Sequence, residues 1–151
     1  MHRILIIFFF ILSLISISFS SETDYFMMLK YSKVNVRFGP SRDHPIKFIY
    51  EKLYLPVKVI DKKDNFRKII DNKKNSGWIH SSQLKKNSSV ILNDTKILFN
   101  KPNKYSKPVA KIKTGRLLIL KKCEKEWCKV ETDNFKGWIT AVNLWGYENK
   151  N

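Results

Sequence analysis

Val34-Asn35-Val36-Arg37-Phe38-Gly39-Pro40-Ser41 is the stretch that decides the fold of this chain. Alternating valines predict a short strand, with Val34 and Val36 on one face and Asn35 and Arg37 on the other. Gly39-Pro40 ends it. Glycine reaches backbone angles closed to other residues, and proline fixes its own angle and donates nothing to a ladder. Further along, Gly77-Trp78-Ile79-His80 reads as the strand that closes the same unit, and Ser81 to Leu84 is long enough for one helical turn.

Between these two landmarks the pattern stays that of a sheet. Leu55, Val57 and Val59 alternate with outward positions, and Phe66 to Ile70 gives another strand. Charged turns at 61–65 and 71–76 separate the strands. The order then recurs. Lys96 to Pro102 takes the place of the opening segment, Leu117 to Leu120 that of Pro56 to Val59, and Trp127 to Val130 that of Phe66 to Ile69. One offset relates Gly77 to Gly137, Trp78 to Trp138 and Leu84 to Leu144. Four landmarks in one order signal two copies of a supersecondary unit. Short strands between turn clusters, with no helical apolar stripe, predict an all-β chain of two small barrels in tandem. The expected boundaries are a signal segment at 1–20, an extension at 21–32 packing on the first barrel, and the first barrel at 33–84. A polar linker at 85–89, the second barrel at 90–147 and a tail at 148–151 follow.

The 151 residues are 43% hydrophobic and 13% aromatic, enough for packed cores, so wholesale disorder is excluded. The 29 basic and 13 acidic residues give a formal charge of +16. Lysine and asparagine abound throughout, as compositional drift would leave them; the alternative is attraction to an anionic surface such as a membrane or cell-wall polymer. No phosphate-binding glycine loop and no nucleic-acid motif appears, so nucleic acid is not an expected partner. Met1-His2-Arg3, the apolar run Ile4 to Ile17 and the small residues Ser18 and Ser20 form the three-part pattern of a secretory signal. The run falls short of the ~20 residues that span a bilayer. Cleavage is expected at Ser20-Ser21, with an uncleaved anchor as the alternative. The expected location is the periplasm or cell envelope.

The opening segment with its Asn35, Arg37, Gly39 and Pro40, and the closing Gly77-Trp78 and Gly137-Trp138, resemble the bacterial SH3 (SH3b) family, in which N-V-R-x-G-P-S opens a small barrel and G-W-[IV] closes it. The tandem arrangement resembles exported SH3-like proteins of alphaproteobacteria. The resemblance implies two SH3-like barrels and a binding module that docks on peptidoglycan or on a peptide of an envelope protein. The alternative is a structural or adaptor subunit of an envelope assembly, with no groove ligand. In the family the ligand groove lies beside the long loop after the opening strand and is lined by aromatics. Arg37, Phe38, Tyr50 and Tyr54 are its candidates here. Trp78 is read instead as packing the barrel, as is Trp138. Asn35 and Arg37 have a structural alternative, holding the loop by hydrogen bonds.

Cys123 and Cys128 flank a short connection between predicted strands. Facing hairpin positions approach the separation a disulfide needs, and export supplies the oxidising compartment. Two free or core cysteines are the alternative. The resembling tandem proteins also carry a C-x4-C pair before the last strands. No second Cys or His pair stands at ligand spacing, so no metal or cofactor is expected. Bacterial SH3 domains often accompany NlpC/P60-type cysteine peptidases, and those enzymes place the nucleophilic cysteine before its histidine. Here His2, His44 and His80 all precede both cysteines, and no other catalytic motif appears. The expectation is a protein that binds and does not catalyse.

Overall fold

A computed structural model describes residues 24–148; the expected signal segment lies outside the described residues. The first unit contains β1 (Tyr25–Leu29), β2 (Val34–Arg37), β3 (Ile46–Tyr50), β4 (Pro56–Lys63), β5 (Phe66–Ile70), β6 (Ser76–His80) and β7 (Leu84–Lys86), with one 3-10 turn at Ser81–Gln83. The second contains β8 (Ser89–Leu92), β9 (Lys96–Phe99), β10 (Pro108–Ile112), β11 (Leu117–Glu124), β12 (Trp127–Glu131), β13 (Lys136–Thr140) and β14 (Leu144–Trp145). Among the described residues every strand pairing is antiparallel, and the two sheets share one topology: β3-β2-β6-β5-β4-β1-β7 and β10-β9-β13-β12-β11-β8-β14.

The expected closed barrels are a point of difference. Each unit is an open seven-stranded sheet whose end strands, β3 and β7 or β10 and β14, do not pair with each other. Side-chain packing holds each sheet around its core. In the first unit this is Leu29, Val34, Val36, Leu55, Val57, Val59, Ile69, Ile79 and Leu84. In the second it is Val90, Leu92, Leu98, Ile112, Leu118, Cys128, Val130, Ile139 and Leu144. The inward positions read from alternation in β2 and β4 are all buried.

Two further stretches complete the sheets. The extension before residue 33 supplies β1, which lies inside the sheet between β4 and β7. Of the stretch 85–89 expected as linker, Lys85 and Lys86 belong to β7 and Ser89 opens β8. β8 is buried at every position: Val90 and Leu92 face the second core while Ile91 joins the first. Strand alternation thus lets one strand serve both cores. Trp145 completes the junction. Its Nε1–H donates to the Pro56 carbonyl at 2.9 Å, and its ring meets Phe26 edge-on at 5.1 Å. Ser89 Oγ donates to the Tyr54 carbonyl at 2.7 Å, and Asn87 Nδ2 to that of Gly146 at 2.6 Å.

Trp78 and Trp138 occupy equivalent places, opposite Arg37 and Phe99. Neither belongs to a core cluster. Gly77 and Ile79 are the buried positions of β6, so alternation turns Trp78, half-buried, to the opposite face of the strand. Trp138 is 8% exposed, with Lys122 Nζ 5.4 Å from its ring centre. The glycines before them are required by space: a Cβ at Gly77 would lie 2.9 Å from the Arg37 carbonyl, and one at Gly137 would lie 2.5 Å from that of Phe99. Cys123 and Cys128 face each other across β11 and β12, Cα atoms 4.0 Å apart, and form a disulfide.

Candidate functional site

The loop between β2 and β3 is fixed by its own polar groups. Arg37 Nη1 donates to the His44 carbonyl at 2.7 Å, and the Phe38 amide donates to the Pro45 carbonyl at 3.2 Å. Ser41 Oγ accepts from the Asp43 amide and lies 2.9 Å from His44 Nδ1. Gly39 serves this loop differently from the sequence expectation. Its backbone is not left-handed; instead a Cβ there would lie 2.2 Å from the His44 ring.

Beside this loop lies a pocket of about 170 Å³, lined by Asn35, Arg37, Arg42, Phe66, His80, Ser82 and Gln83. His80 forms one wall and stacks edge-on against Phe66 at 5.1 Å. The Ser82 amide, which can only donate, reaches His80 Nδ1 at 3.3 Å. Ser82 Oγ stands 2.7 Å from the same nitrogen. Arg37, Arg42 and the side-chain amides of Asn35 and Gln83 make the lining rich in donors, suited to a carboxylate or a run of peptide carbonyls. Phe38, on the same loop, is 62% exposed, with Lys47 Nζ 5.7 Å from its ring centre.

The other two aromatic candidates lie apart from this pocket. Tyr50 O–H donates to Asp71 Oδ2 at 3.0 Å, and its ring meets Phe48 edge-on. Burial first, then the charge and hydrogen bond of Asp71, raise its hydroxyl well above the usual pKa near 10. Asp71 is itself buried and also accepts from the amides of Lys73 and Asn75 and from Asn75 Nδ2, pinning the β5–β6 turn. Tyr54 sits at the junction with the second unit, at φ 61°, with Lys85 Nζ 4.2 Å from its ring centre. Arg42, His80 and Gln83 were absent from the sequence candidates; Arg42 lies in the polar turn after Gly39-Pro40, and His80 and Gln83 in the polar run that follows Gly77-Trp78-Ile79.

The second unit does not rebuild the pocket. Strand register puts Ile97 in the place of Asn35, Phe99 in that of Arg37, Trp127 in that of Phe66 and Thr140 in that of His80. Phe99 and Trp127 stack edge-on at 5.8 Å across the equivalent position. Among the described residues no group of three His, Cys, Asp or Glu side chains stands where it would hold a metal ion. No helix among them is long and apolar enough to cross a membrane.

A family model described as bacterial SH3 domain matches the chain twice, at residues 30–86 and 93–146. No curated protein matches significantly. Among solved structures, the chain is similar to NlpC2 of Trichomonas vaginalis (10% identity, 85% of this chain and 50% of that one, TM-score 0.38). It is similar also to NlpC1 of the same organism (12%, 87% and 48%, 0.38) and to an NlpC/P60 family protein of Bacillus cereus (15%, 79% and 55%, 0.38). The chain spans about half the length of these structures.

Proposed function

Since the chain belongs to the bacterial SH3 domain family, we propose that it is an exported, non-catalytic binding module that docks on cell-envelope material, peptidoglycan or a peptide of an envelope protein. The observation that carries the site is the donor-rich pocket beside the β2–β3 loop, present in the first unit and replaced in the second by Ile97, Phe99 and Trp127. Were the pocket only a by-product of the topology, both copies would keep its lining. Arg42, His80 and Gln83 contact the polar groups of the ligand. Arg37 holds the loop through His44 and offers its remaining donors, and Phe38 covers apolar parts of the ligand.

The test is a titration with soluble muropeptides. Arg42→Ala with Gln83→Ala weakens binding about a hundredfold or more, since hydrogen bonds to charged groups contribute ~1.5–3 kcal/mol each and 1.4 kcal/mol is tenfold. Among the described residues these side chains make no hydrogen bond or ion pair, so the fold is retained. Unchanged affinity in the double variant sinks the pocket. Recovery of the protein with one stoichiometric envelope protein, and no affinity for wall material, supports the adaptor reading instead.

A further inference from the structure

The β3–β4 connection of the first unit and the equivalent β10–β11 connection of the second meet at the unit boundary. Two clefts there, of about 610 and 520 Å³, share Lys52, Arg116, Leu117 and Thr132 and so form one furrow. Each lies within the ~300–1,000 Å³ typical of ligand sites. Its walls are fixed before any ligand arrives. The Tyr54 amide donates to the Leu29 carbonyl at 3.2 Å, and Ser89 Oγ donates to the Tyr54 carbonyl. On the other wall the Gly115 amide (2.7 Å) and Thr114 Oγ1 (3.2 Å) both donate to the Leu92 carbonyl.

The charges along the furrow are unevenly matched. At one end Lys121 pairs with Glu131 at 2.7 Å, and Arg116 stands 4.0 Å from Asp133. Lys121 hydrogen-bonds Glu131 and holds its carboxyl below the usual range. At the other end are Lys111 and Lys113, with Lys52 where the two clefts join; the three form no ion pair among the described residues, and no carboxylate lines that end. Phe135 lies there, 44% exposed. A concave surface lined by one sign of charge focuses its potential and concentrates counter-ions. Three lysines drawn from two units, spread over β10, its turn and the facing loop, suit several anionic groups along one chain better than a single ion.

We infer that this furrow is a second binding site, taking the carboxylates of peptidoglycan peptide stems on Lys52, Lys111 and Lys113. Phe135 packs against the apolar stretches between the carboxylates. The inference rests on the wall-binding reading above and adds to it a site that neither unit forms alone.

The test is co-sedimentation with purified sacculi, and with sacculi whose carboxylates have been amidated. Lys52→Gln/Lys111→Gln/Lys113→Gln is compared with Lys33→Gln/Lys73→Gln/Lys101→Gln, which removes the same charge from exposed lysines elsewhere. The furrow variant raises the apparent Kd about tenfold, as three exposed ion pairs of ~0.5 kcal/mol would. The control stays within about twofold, and amidated sacculi bind the unaltered protein about as weakly as native sacculi bind the furrow variant. Equal losses in the two variants, or indifference to amidation, overturn the site while leaving the wall reading in place. Loss of the furrow variant's affinity for anionic phosphatidylglycerol vesicles, with none for sacculi, overturns it in favour of a membrane surface. Failure of the unaltered protein to sediment with either preparation overturns both readings.

Discussion

Tyr50 and Asp71 show what a residue contributes beyond its place in a pattern. The phenol lends its donor to a buried carboxylate that organises the β5–β6 turn. Tyr50→Phe removes one of the two hydrogen bonds to Asp71 Oδ2, the other coming from Asn75 Nδ2; the loss costs about 1.5 kcal/mol at neutral pH. Because the folded-state hydroxyl is raised above its unfolded value near 10, the unfolded chain gives up this proton first. That stability is complete below pH 10 and is lost as pH rises beyond it. Urea unfolding at pH 7 and pH 11 therefore shows a gap between Tyr50→Phe and the unaltered protein that narrows at the higher pH; a gap of constant size contradicts the assignment. The buried valines of β2 were legible because alternation needs only neighbours. The Tyr50–Asp71 bond was not, since nothing local pairs positions on β3 and after β5. Trp78 was open to a better reading, as its face follows from Ile79 beside it.

At the scale of elements, the repeat was legible because each closing strand keeps its glycine, tryptophan and isoleucine, and the backbone approach at Gly77 and Gly137 explains the glycine. The hairpin of β11 and β12 was legible through its facing cysteines. β8 was not. Ser89-Val90-Ile91-Leu92 is buried on both faces, so it lacks the alternation that marks a half-exposed strand, and the lysines before it suggested a linker. β14 was equally hidden, a pair of residues whose Trp145 reaches Pro56 and Phe26. Trp145→Ala removes that anchor and costs about 3 kcal/mol, the lower end for truncating a buried aromatic. Chemical denaturation followed by tryptophan fluorescence then separates into two transitions, where the unaltered protein shows one. A variant that still unfolds in one step contradicts the coupling of the units through β14.

For the molecule as a whole, tandem copies of one topology differ in what they build at equivalent positions. The first keeps a donor-rich pocket, the second packs that position with aromatics, and a basic furrow runs along their boundary. The furrow was illegible in the sequence because its walls come from loops far apart in the chain that only the β8 and Trp145 junction brings together. The net charge of +16 was legible, but it acts differently from the pocket. Exposed charges are screened beyond ~8 Å at physiological ionic strength. Hydrogen bonds and apolar contact in the pocket beside β2 are short-range and resist salt. The most direct measurement is thus co-sedimentation of the protein with purified sacculi from low salt to molar salt. Binding that weakens with salt and levels off at a residual, saturable affinity is the predicted result. Binding that disappears in molar salt would show that diffuse charge alone holds this protein to the wall.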